Sequence, residues 1–206
     1  MLVARILYPV EVLGPGKRIG IWMCGCKHGC EGCSNPELWE FDDKYEISVN
    51  DIFKIIYSLS MKYRIDGFTI TGGDPFEQVD KLSELIERIK AISSDILIYT
   101  GYTLEELKGK NKLSITNVLG NIAVLIDGRY IEKRNNNVLL RGSDNQKVHI
   151  LNSAYKERYE KYLSKGANKI QNFKTIDGII SVGIHKPGFI KQLDDDVKKF
   201  GLQKGE

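Results

Sequence analysis

Residues 19–33 read IGIWMCGCKHGCEGC and combine a structural signal with a chemical one. The first five residues form an apolar run typical of a short buried strand. This run leads directly into four cysteines, at positions 24, 26, 30 and 33, and the chain has no others. Disulfides close loops between separated residues, so one tight cluster argues against a disulfide framework. The cluster predicts a metal site, or a redox site in a reducing compartment.

Outside this stretch, apolar runs alternate with helical patterns. Further strands are predicted at 68–71, 96–99, 122–126, 148–151 and 178–182, and helices from Ser48, after Pro75, near Thr103, after Ser153 and over 189–200. Such alternation indicates βαβ units and a parallel sheet. A complete (β/α)8 barrel takes about 250 residues, whereas this chain has 206. We therefore expect an α/β fold, a partial (incomplete) TIM-like barrel of parallel strands with outer helices, forming a single domain over residues 1–206.

The composition limits the partners and the location of the protein. Its 30 Lys and Arg face 27 Asp and Glu, and the net charge of +3 lacks the basic excess typical of nucleic-acid binding. No apolar run approaches the roughly 18 residues of a membrane helix. The first residues carry no targeting signal. We expect a cytoplasmic protein with neither a nucleic-acid nor a membrane partner.

Polar and glycine residues follow three of the predicted strands, at 71–74, 100–101 and 127–128. The carboxyl ends of parallel strands meet at one edge of a sheet, where ligands bind, and the cysteines fall at the same edge. We therefore take Thr100 and Asp127 as candidate cofactor-binding residues. An Asp-Gly turn that merely ends a strand is the alternative interpretation of Asp127.

Asp74 has two compatible interpretations. The pattern Asp74-Pro75-x-Glu77 is a good helix start, with an N-cap, a proline at the first helical position and a capping-box acid. The preceding Gly72 and Gly73 indicate that another group approaches the backbone closely. Asp74 could cap the helix and contribute to a site through different atoms.

The spacing of the cysteines favours an iron–sulfur cluster over zinc. Cys26, Cys30 and Cys33 form a C-x3-C-x2-C pattern, and short spacings of this kind are usual in iron–sulfur sites. Three thiolates on four irons would leave one iron open, whereas Cys24 as a fourth ligand would close the site. The zinc alternative uses all four cysteines, with or without His28, although zinc ligands usually come as two separated pairs.

The same residues carry a resemblance to a known family. The C-x3-C-x2-C pattern resembles the signature of the radical S-adenosylmethionine superfamily, and residues 14–18, 25–26 and 30–39 resemble the cluster loop of activating enzymes of glycyl radical proteins. The TGGDP segment at 71–75 resembles the motif that holds the methionine amino group of S-adenosylmethionine. Segments 99–102, 127–130 and 141–146 are similar to the branch that activates anaerobic ribonucleoside-triphosphate reductase. The resemblance covers about residues 10–150, and 151–206 match weakly.

This resemblance implies a radical S-adenosylmethionine core with its cluster loop at 24–35. Cys26, Cys30 and Cys33 would hold a [4Fe-4S] cluster, and Gly72, Gly73 and Asp74 would bind the amino group of S-adenosylmethionine. The backbone of Gly32, Cys33 and Ser34 would lie against the adenosine.

The implied activity is that of an activase. An external donor such as a flavodoxin or ferredoxin would reduce the cluster, and a 5′-deoxyadenosyl radical would generate a glycyl radical on the large anaerobic reductase. The alternatives are another glycyl radical enzyme as partner, a small-molecule substrate, or a non-catalytic zinc or iron–sulfur module that uses all four cysteines.

Four further expectations concern the rest of the chain. We interpret His28 as a solvent-facing loop residue, with metal ligand or proton donor as the alternative. Residues 129–147 are polar and predict a long loop, either solvated or in contact with the protein partner. Tyr155, Tyr159 and Tyr162 stand at helical spacing and predict a packing face. Residues 178–183 loosely resemble the strand that borders the adenine.

Overall fold

A computed structural model describes residues 1–176 and 178–199 of the chain. Its centre is a six-stranded sheet whose strands lie side by side in chain order. The strands are β1 (Val3–Val10), β2 (Arg18–Met23), β3 (Gly67–Gly72), β4 (Ile96–Tyr99), β5 (Val124–Asp127) and β6 (Lys147–Ile150). Strands β2 to β5 run parallel to one another, while the edge pairs β1–β2 and β5–β6 are antiparallel. The predicted α/β fold with a mainly parallel sheet is confirmed.

The expectation of parallel strands was wrong for β6, and β1, which the sequence did not predict, is also antiparallel to its neighbour. A parallel connection needs a crossover of about a dozen residues or more, usually a helix. The short link at 11–17 contains no helix, and the longer link at 128–146 contains only the 3-10 turn Glu132–Arg134. Both links therefore return the chain in the antiparallel direction. Within the described residues β1 and β6 do not pair, so the sheet is open and does not close into a barrel.

In the part of the chain that the structure describes, six α-helices accompany the strands. They are α1 (Val49–Lys62), α2 (Val79–Ile89), α3 (Leu104–Gly109), α4 (Leu113–Asn121), α5 (Lys156–Lys165) and α6 (Phe189–Lys199). The predicted cap of α1 is confirmed, because Ser48 Oγ accepts the backbone N–H of Asp51 at 3.0 Å. Helix α4 was not predicted, and Phe200, the expected end of the last helix, lies outside the described residues. None of the described helices combines the length and apolar character needed to cross a bilayer.

The main core lies between the sheet and helices α1, α2 and α4. The predicted apolar face of α2 is buried against β3 and β4, with Leu82, Leu85 and Ile89 fully enclosed beside Ile70 and Ile98. This packing fixes the strands relative to one another, and with them the loops at their carboxyl ends.

Strands β7 (Ile170–Thr175) and β8 (Gly178–Gly183) form a separate antiparallel hairpin. The strand predicted at 178–182 therefore exists but does not extend the main sheet. Phe173 and Ile180 of the hairpin pack in a cluster with Val10 and Trp22. The Gln171 amide donates to Pro9 O at 2.7 Å, and these contacts seat the hairpin against the sheet.

A buried charge network lies at the amino-terminal start of β2. The Arg18 side chain is fully buried and donates to Thr69 Oγ1 at 2.7 Å and to the Asp95 backbone oxygen at 2.9 Å. Asp95 Oδ1 lies 3.1 Å from Arg18 and accepts the Tyr159 hydroxyl at 2.6 Å. In α/β folds this end of the strands serves stability, and chemistry gathers at the other end. Tyr159 and Tyr162 of α5, together with Tyr155 just before it, form the packing face that the sequence predicts.

Candidate functional site

A cavity of about 520 Å³ opens at the carboxyl ends of the parallel strands. This volume lies within the range of small-molecule and cofactor sites. The predicted site residues that line it are Cys26, Cys30, Gly32, Cys33, Ser34, Gly72, Gly73, Asp74 and Thr100. The structure therefore brings together residues from the cluster loop, the end of β3 and the end of β4, which lie far apart in the sequence.

Three cysteines face this cavity and the fourth does not. Cys26, Cys30 and Cys33 are partly exposed on the loop that follows β2, and all three line the cavity. Cys24 is buried, its thiol donates to the Glu40 backbone oxygen at 2.9 Å, and it is absent from the cavity wall. The structure therefore separates Cys24 from the three cysteines of the C-x3-C-x2-C pattern.

The donor set fits an iron–sulfur cluster better than one metal ion. Zinc holds its ligands at about 2.0–2.3 Å around a single point. Within residues 1–176 and 178–199, no three His, Cys, Asp or Glu side chains converge in this way. In a four-iron cluster each thiolate binds its own iron, so the three sulfurs need not converge on one point.

The cavity favours the protonated form of the Cys26 and Cys30 thiols. Burial, the largest cause, raises the pKa of Cys26 to about 11, and the neighbouring Asp74 and Cys33 act in the same direction. Burial also raises the pKa of Cys30. Backbone amides of His28 and Tyr130 point at Cys26 and Cys30 respectively and oppose these shifts. Since a metal binds the thiolate, cluster binding at these cysteines must release protons.

Asp74 caps the turn that follows β3, as the sequence predicts. It is buried, and its Oδ1 accepts the Phe76 backbone N–H at 2.9 Å at the start of the 3-10 turn Pro75–Gln78. The capping-box prediction for Glu77 was wrong, because the Asp74 N–H donates to Gly25 O at 2.9 Å instead. The Glu77 carboxylate pairs with Lys27 and accepts the Tyr102 hydroxyl.

Gly72 and Gly73 leave room for the cluster loop itself. A Cβ at Gly73 would overlap the Gly25 carbonyl oxygen and lie 2.8 Å from its carbon, and one at Gly72 would overlap Met23. The group that approaches this backbone is therefore the chain on either side of Cys24. The Gly73 N–H donates to Met23 O at 2.7 Å, which continues the pairing of β2 with β3 beyond the strands.

The expectation that His28 faces solvent was wrong. Its side chain is only 5% exposed, and Nε2 lies 2.8 Å from Asp74 Oδ2. The ring contacts the ring of Tyr102 edge-on at 4.6 Å between centroids. The sequence gives no sign of this contact, because the two partners are 46 residues apart and meet only when β2 and β3 pair.

Thr100 and Asp127 take different positions relative to the cavity. The Thr100 hydroxyl donates to Asp74 at 2.9 Å and lines the cavity. The Asp127 carboxylate accepts the Leu104 N–H at 2.7 Å at the start of α3 and does not line the cavity, although Gly128 does. Asp127 therefore orders the neighbouring helix, and the structure does not bring its side chain to the other candidate residues.

The carboxyl-terminal hairpin and the residues that follow it supply a wall of the cavity whose side chains the sequence did not single out. Ser181 and His185 line it, and among the described residues neither Ser181 Oγ nor the ring nitrogens of His185 have a hydrogen-bond partner. Burial lowers the pKa of His185. The resemblance of 178–183 to a strand at the adenine was the only signal for this wall. Residues 128–146 form the long loop that was predicted, and Tyr130 and Glu132 from it line the cavity.

Comparison with known proteins identifies a matching domain and several relatives. A family described as "4Fe-4S single cluster domain" matches residues 12–149. Proteins named anaerobic ribonucleoside-triphosphate reductase-activating protein are similar to the chain. The one from Enterobacteria phage T4 is 35% identical over 147 residues, which are 69% of this chain and 90% of the relative. The one from Escherichia coli K12 is 33% identical, over 70% of this chain and 96% of the relative. The one from Vibrio cholerae is 34% identical, over 69% of this chain and 94% of the relative.

Proposed function

The chain belongs to the family of anaerobic ribonucleoside-triphosphate reductase-activating proteins and carries a 4Fe-4S single cluster domain, and on that premise we propose a radical S-adenosylmethionine activase. Its substrate is an anaerobic ribonucleoside-triphosphate reductase, on which it generates a glycyl radical. The open sheet is interpreted as an incomplete barrel whose mouth admits the glycine-bearing segment of this partner.

The observation that carries this proposal is the separation of the four cysteines. Cys26, Cys30 and Cys33 face the cavity, while Cys24 is buried elsewhere with its thiol bonded to a backbone oxygen. Three ligands leave one iron of a [4Fe-4S] cluster without a cysteine, as a catalytic metal site requires. The cavity volume supports the same interpretation.

Each residue of the site has a defined role in this proposal. When bound, the cluster and S-adenosylmethionine supply the reductive cleavage that yields the hydrogen-abstracting 5′-deoxyadenosyl radical. The backbone of the segment Gly72–Asp74 would hold the amino group of the cofactor, and the backbone of Gly32–Ser34 would lie against its adenosine. Thr100 orients Asp74 through the 2.9 Å hydrogen bond, and Asp127 fixes the start of α3 beside the site. The hairpin wall at Ser181 and His185 excludes water.

The remaining components follow from the chemistry. The cluster needs an external one-electron donor, for which we propose a flavodoxin or ferredoxin in the cytoplasm. The loop at 128–146 lines the cavity through Tyr130 and Glu132, carries the exposed Arg129, Lys133 and Arg134, and is proposed as the surface that receives the reductase.

Anaerobic reconstitution tests the proposal. Protein treated with iron and sulfide should be brown, contain both elements, and cleave S-adenosylmethionine to 5′-deoxyadenosine and methionine when reduced. Reduced protein mixed with the reductase should then produce a glycyl radical signal in electron paramagnetic resonance. Colourless protein with stoichiometric zinc would contradict the proposal. Cleavage without a radical on the reductase would point instead to another glycyl radical enzyme or a small-molecule substrate.

A further inference from the structure

The loop between Cys26 and Cys30 is fastened to the turn after β3 by two consecutive side chains. Lys27 Nζ lies 2.8 Å from Glu77 Oε2, and His28 Nε2 lies 2.8 Å from Asp74 Oδ2. Lys27 is 71% exposed, so solvent weakens its pair, whereas His28 and Asp74 are 5% and 1% exposed. The buried contact through His28 is therefore the stronger fastening of the two.

The imidazole of His28 is enclosed on several sides. The Tyr102 ring meets it edge-on, and Tyr102 is itself held by its hydroxyl, which donates to Glu77 Oε1 at 2.6 Å. A Cβ at Gly101 would lie 2.6 Å from His28 Nε2, so only glycine leaves room for the ring there. The position of His28 is thus set by packing as well as by its hydrogen bond.

The carboxylate of Asp74 has no acceptor position left. Its oxygens accept the Phe76 N–H at 2.9 Å, the Gly101 N–H at 2.8 Å and the Thr100 hydroxyl at 2.9 Å, and His28 occupies the remaining position. An ionised carboxylate offers about four lone-pair sites. A ligand ammonium group could reach this carboxylate only by displacing one of these four donors.

The geometry assigns His28 the role of a positioning residue for the cluster loop. By holding Asp74 it fixes the segment between Cys26 and Cys30, and the Asp74 carboxylate serves this loop instead of binding the amino group of S-adenosylmethionine. The inference rests on the proposed function, since it concerns the loop that holds the cluster. Because the carboxylate of Asp74 is occupied by the loop, the cofactor would contact only backbone atoms of the segment Gly72–Asp74.

Four variants test the inference. His28→Phe keeps a flat ring beside Tyr102 but removes the nitrogen that meets Asp74, and His28→Gln can return an N–H to that position. Asp74→Asn alters the other side of the same contact. Glu31→Gln is the matched control, because Glu31 lies exposed in the same loop and has no side-chain hydrogen bond in the described structure.

Three measurements are made on each protein. The first is the rate at which a chelator removes iron from the anaerobically reconstituted form. The second is the dissociation constant for S-adenosylmethionine, corrected for the fraction that carries a cluster. The third, on metal-free protein, is amide hydrogen exchange in residues 26–33, which reports loop order without requiring a cluster.

Loss of a hydrogen bond to a charged group should be visible as a roughly tenfold to hundredfold change in an equilibrium or rate. We expect His28→Phe and Asp74→Asn to speed iron loss and loop exchange by about that factor. The double variant should be no worse than either single one, because both remove one contact. His28→Gln should retain most of the iron that the unchanged protein retains, and Glu31→Gln should retain all of it. The fraction that carries a cluster should bind S-adenosylmethionine with the affinity of the unchanged protein.

Two results would overturn the inference. One is retention and exchange in His28→Phe equal to those of Glu31→Gln. The other is an Asp74→Asn protein that retains its cluster but binds S-adenosylmethionine at least tenfold more weakly, which would show that the carboxylate binds the cofactor. Failure of the unchanged protein to take up iron would contradict the proposed function alone, since the exchange measurement would still report on His28.

Discussion

Replacing Gly73 with alanine would place a methyl group against the backbone of Gly25, the residue before Cys26. The new carbon would overlap the Gly25 carbonyl oxygen and lie 2.8 Å from its carbon and 2.9 Å from its nitrogen, where ordinary contacts begin at 3.4 Å. Both neighbours are backbone atoms, so no side-chain rotation can relieve the overlap. The cluster loop and the end of β3 would have to move apart by at least about 0.6 Å, because the 2.8 Å contact alone requires that much and the carbonyl oxygen is closer still.

Two contributions set the size of the effect. Overpacking in a tight site costs about 1–3 kcal/mol. The Asp74 N–H to Gly25 O hydrogen bond, 2.9 Å long, joins the same two segments and would be strained as they separate. Losing it adds about 1 kcal/mol. The sum, roughly 2–4 kcal/mol of unfolding free energy, corresponds to a fall of about 5–15 °C in Tm for a chain of this size.

Thermal unfolding of the metal-free protein measures this cost, with Gly120→Ala as the control. Gly120 is exposed in α4, and a Cβ added there would meet no atom within 4 Å, so alanine should raise stability by about 0.5–1 kcal/mol. Gly73→Ala should also retain less iron after reconstitution, because Gly25 adjoins a ligand. If Gly73→Ala has the same Tm as the unchanged protein while Gly120→Ala has a higher Tm, the close contact between Gly73 and Gly25 does not exist in solution.

Three further predictions address other parts of the chain. Cys24→Ala should take up iron and sulfide like the unchanged protein, and loss of the cluster in this variant alone would mean that Cys24 is a ligand. Asp95→Ala leaves the buried Arg18 charge without its partner and should lower the free energy of unfolding, measured in urea, by about 3–5 kcal/mol. Asp144→Ala breaks the exposed pair with Arg134 and should lower it by less than about 1 kcal/mol. Equal losses in the two variants would contradict the interpretation of Arg18 and Asp95 as a buried charge pair. Ser181→Ala should leave the free energy of unfolding unchanged or raise it by about 1 kcal/mol, because its buried hydroxyl has no partner in the described chain, and a clear loss would reveal a missed contact.

Local patterns were sufficient to predict the centre of the fold. Strands β2 to β5 are buried on both faces, so each appears in the sequence as an apolar run, and three of the four end in residues suited to a site. Three of the cysteines and Asp74 could be assigned to one edge because parallel strands align their carboxyl ends. The caps at Ser48 and Asp74 are local signals and were correct.

Features that depend on tertiary contacts were not predictable. Strand β1 is half-buried at the edge of the sheet and contains Pro9, so it lacks both a clean apolar run and a clean alternation. Strand β7 is mostly polar and exists through its pairing with β8 and the burial of Phe173 on Trp22. His28 appeared to be an ordinary polar loop residue, because its partner Asp74 reaches it only across the pairing of β2 with β3.

The electron paramagnetic resonance spectrum of the reconstituted and reduced protein, recorded with and without S-adenosylmethionine, tests whether three cysteines leave one iron open. We expect a reduced [4Fe-4S] signal that changes on addition of the cofactor, in the unchanged protein and equally in Cys24→Ala. A cluster signal that S-adenosylmethionine leaves unaltered, together with its loss in Cys24→Ala, would show a closed four-cysteine site and contradict the proposed chemistry.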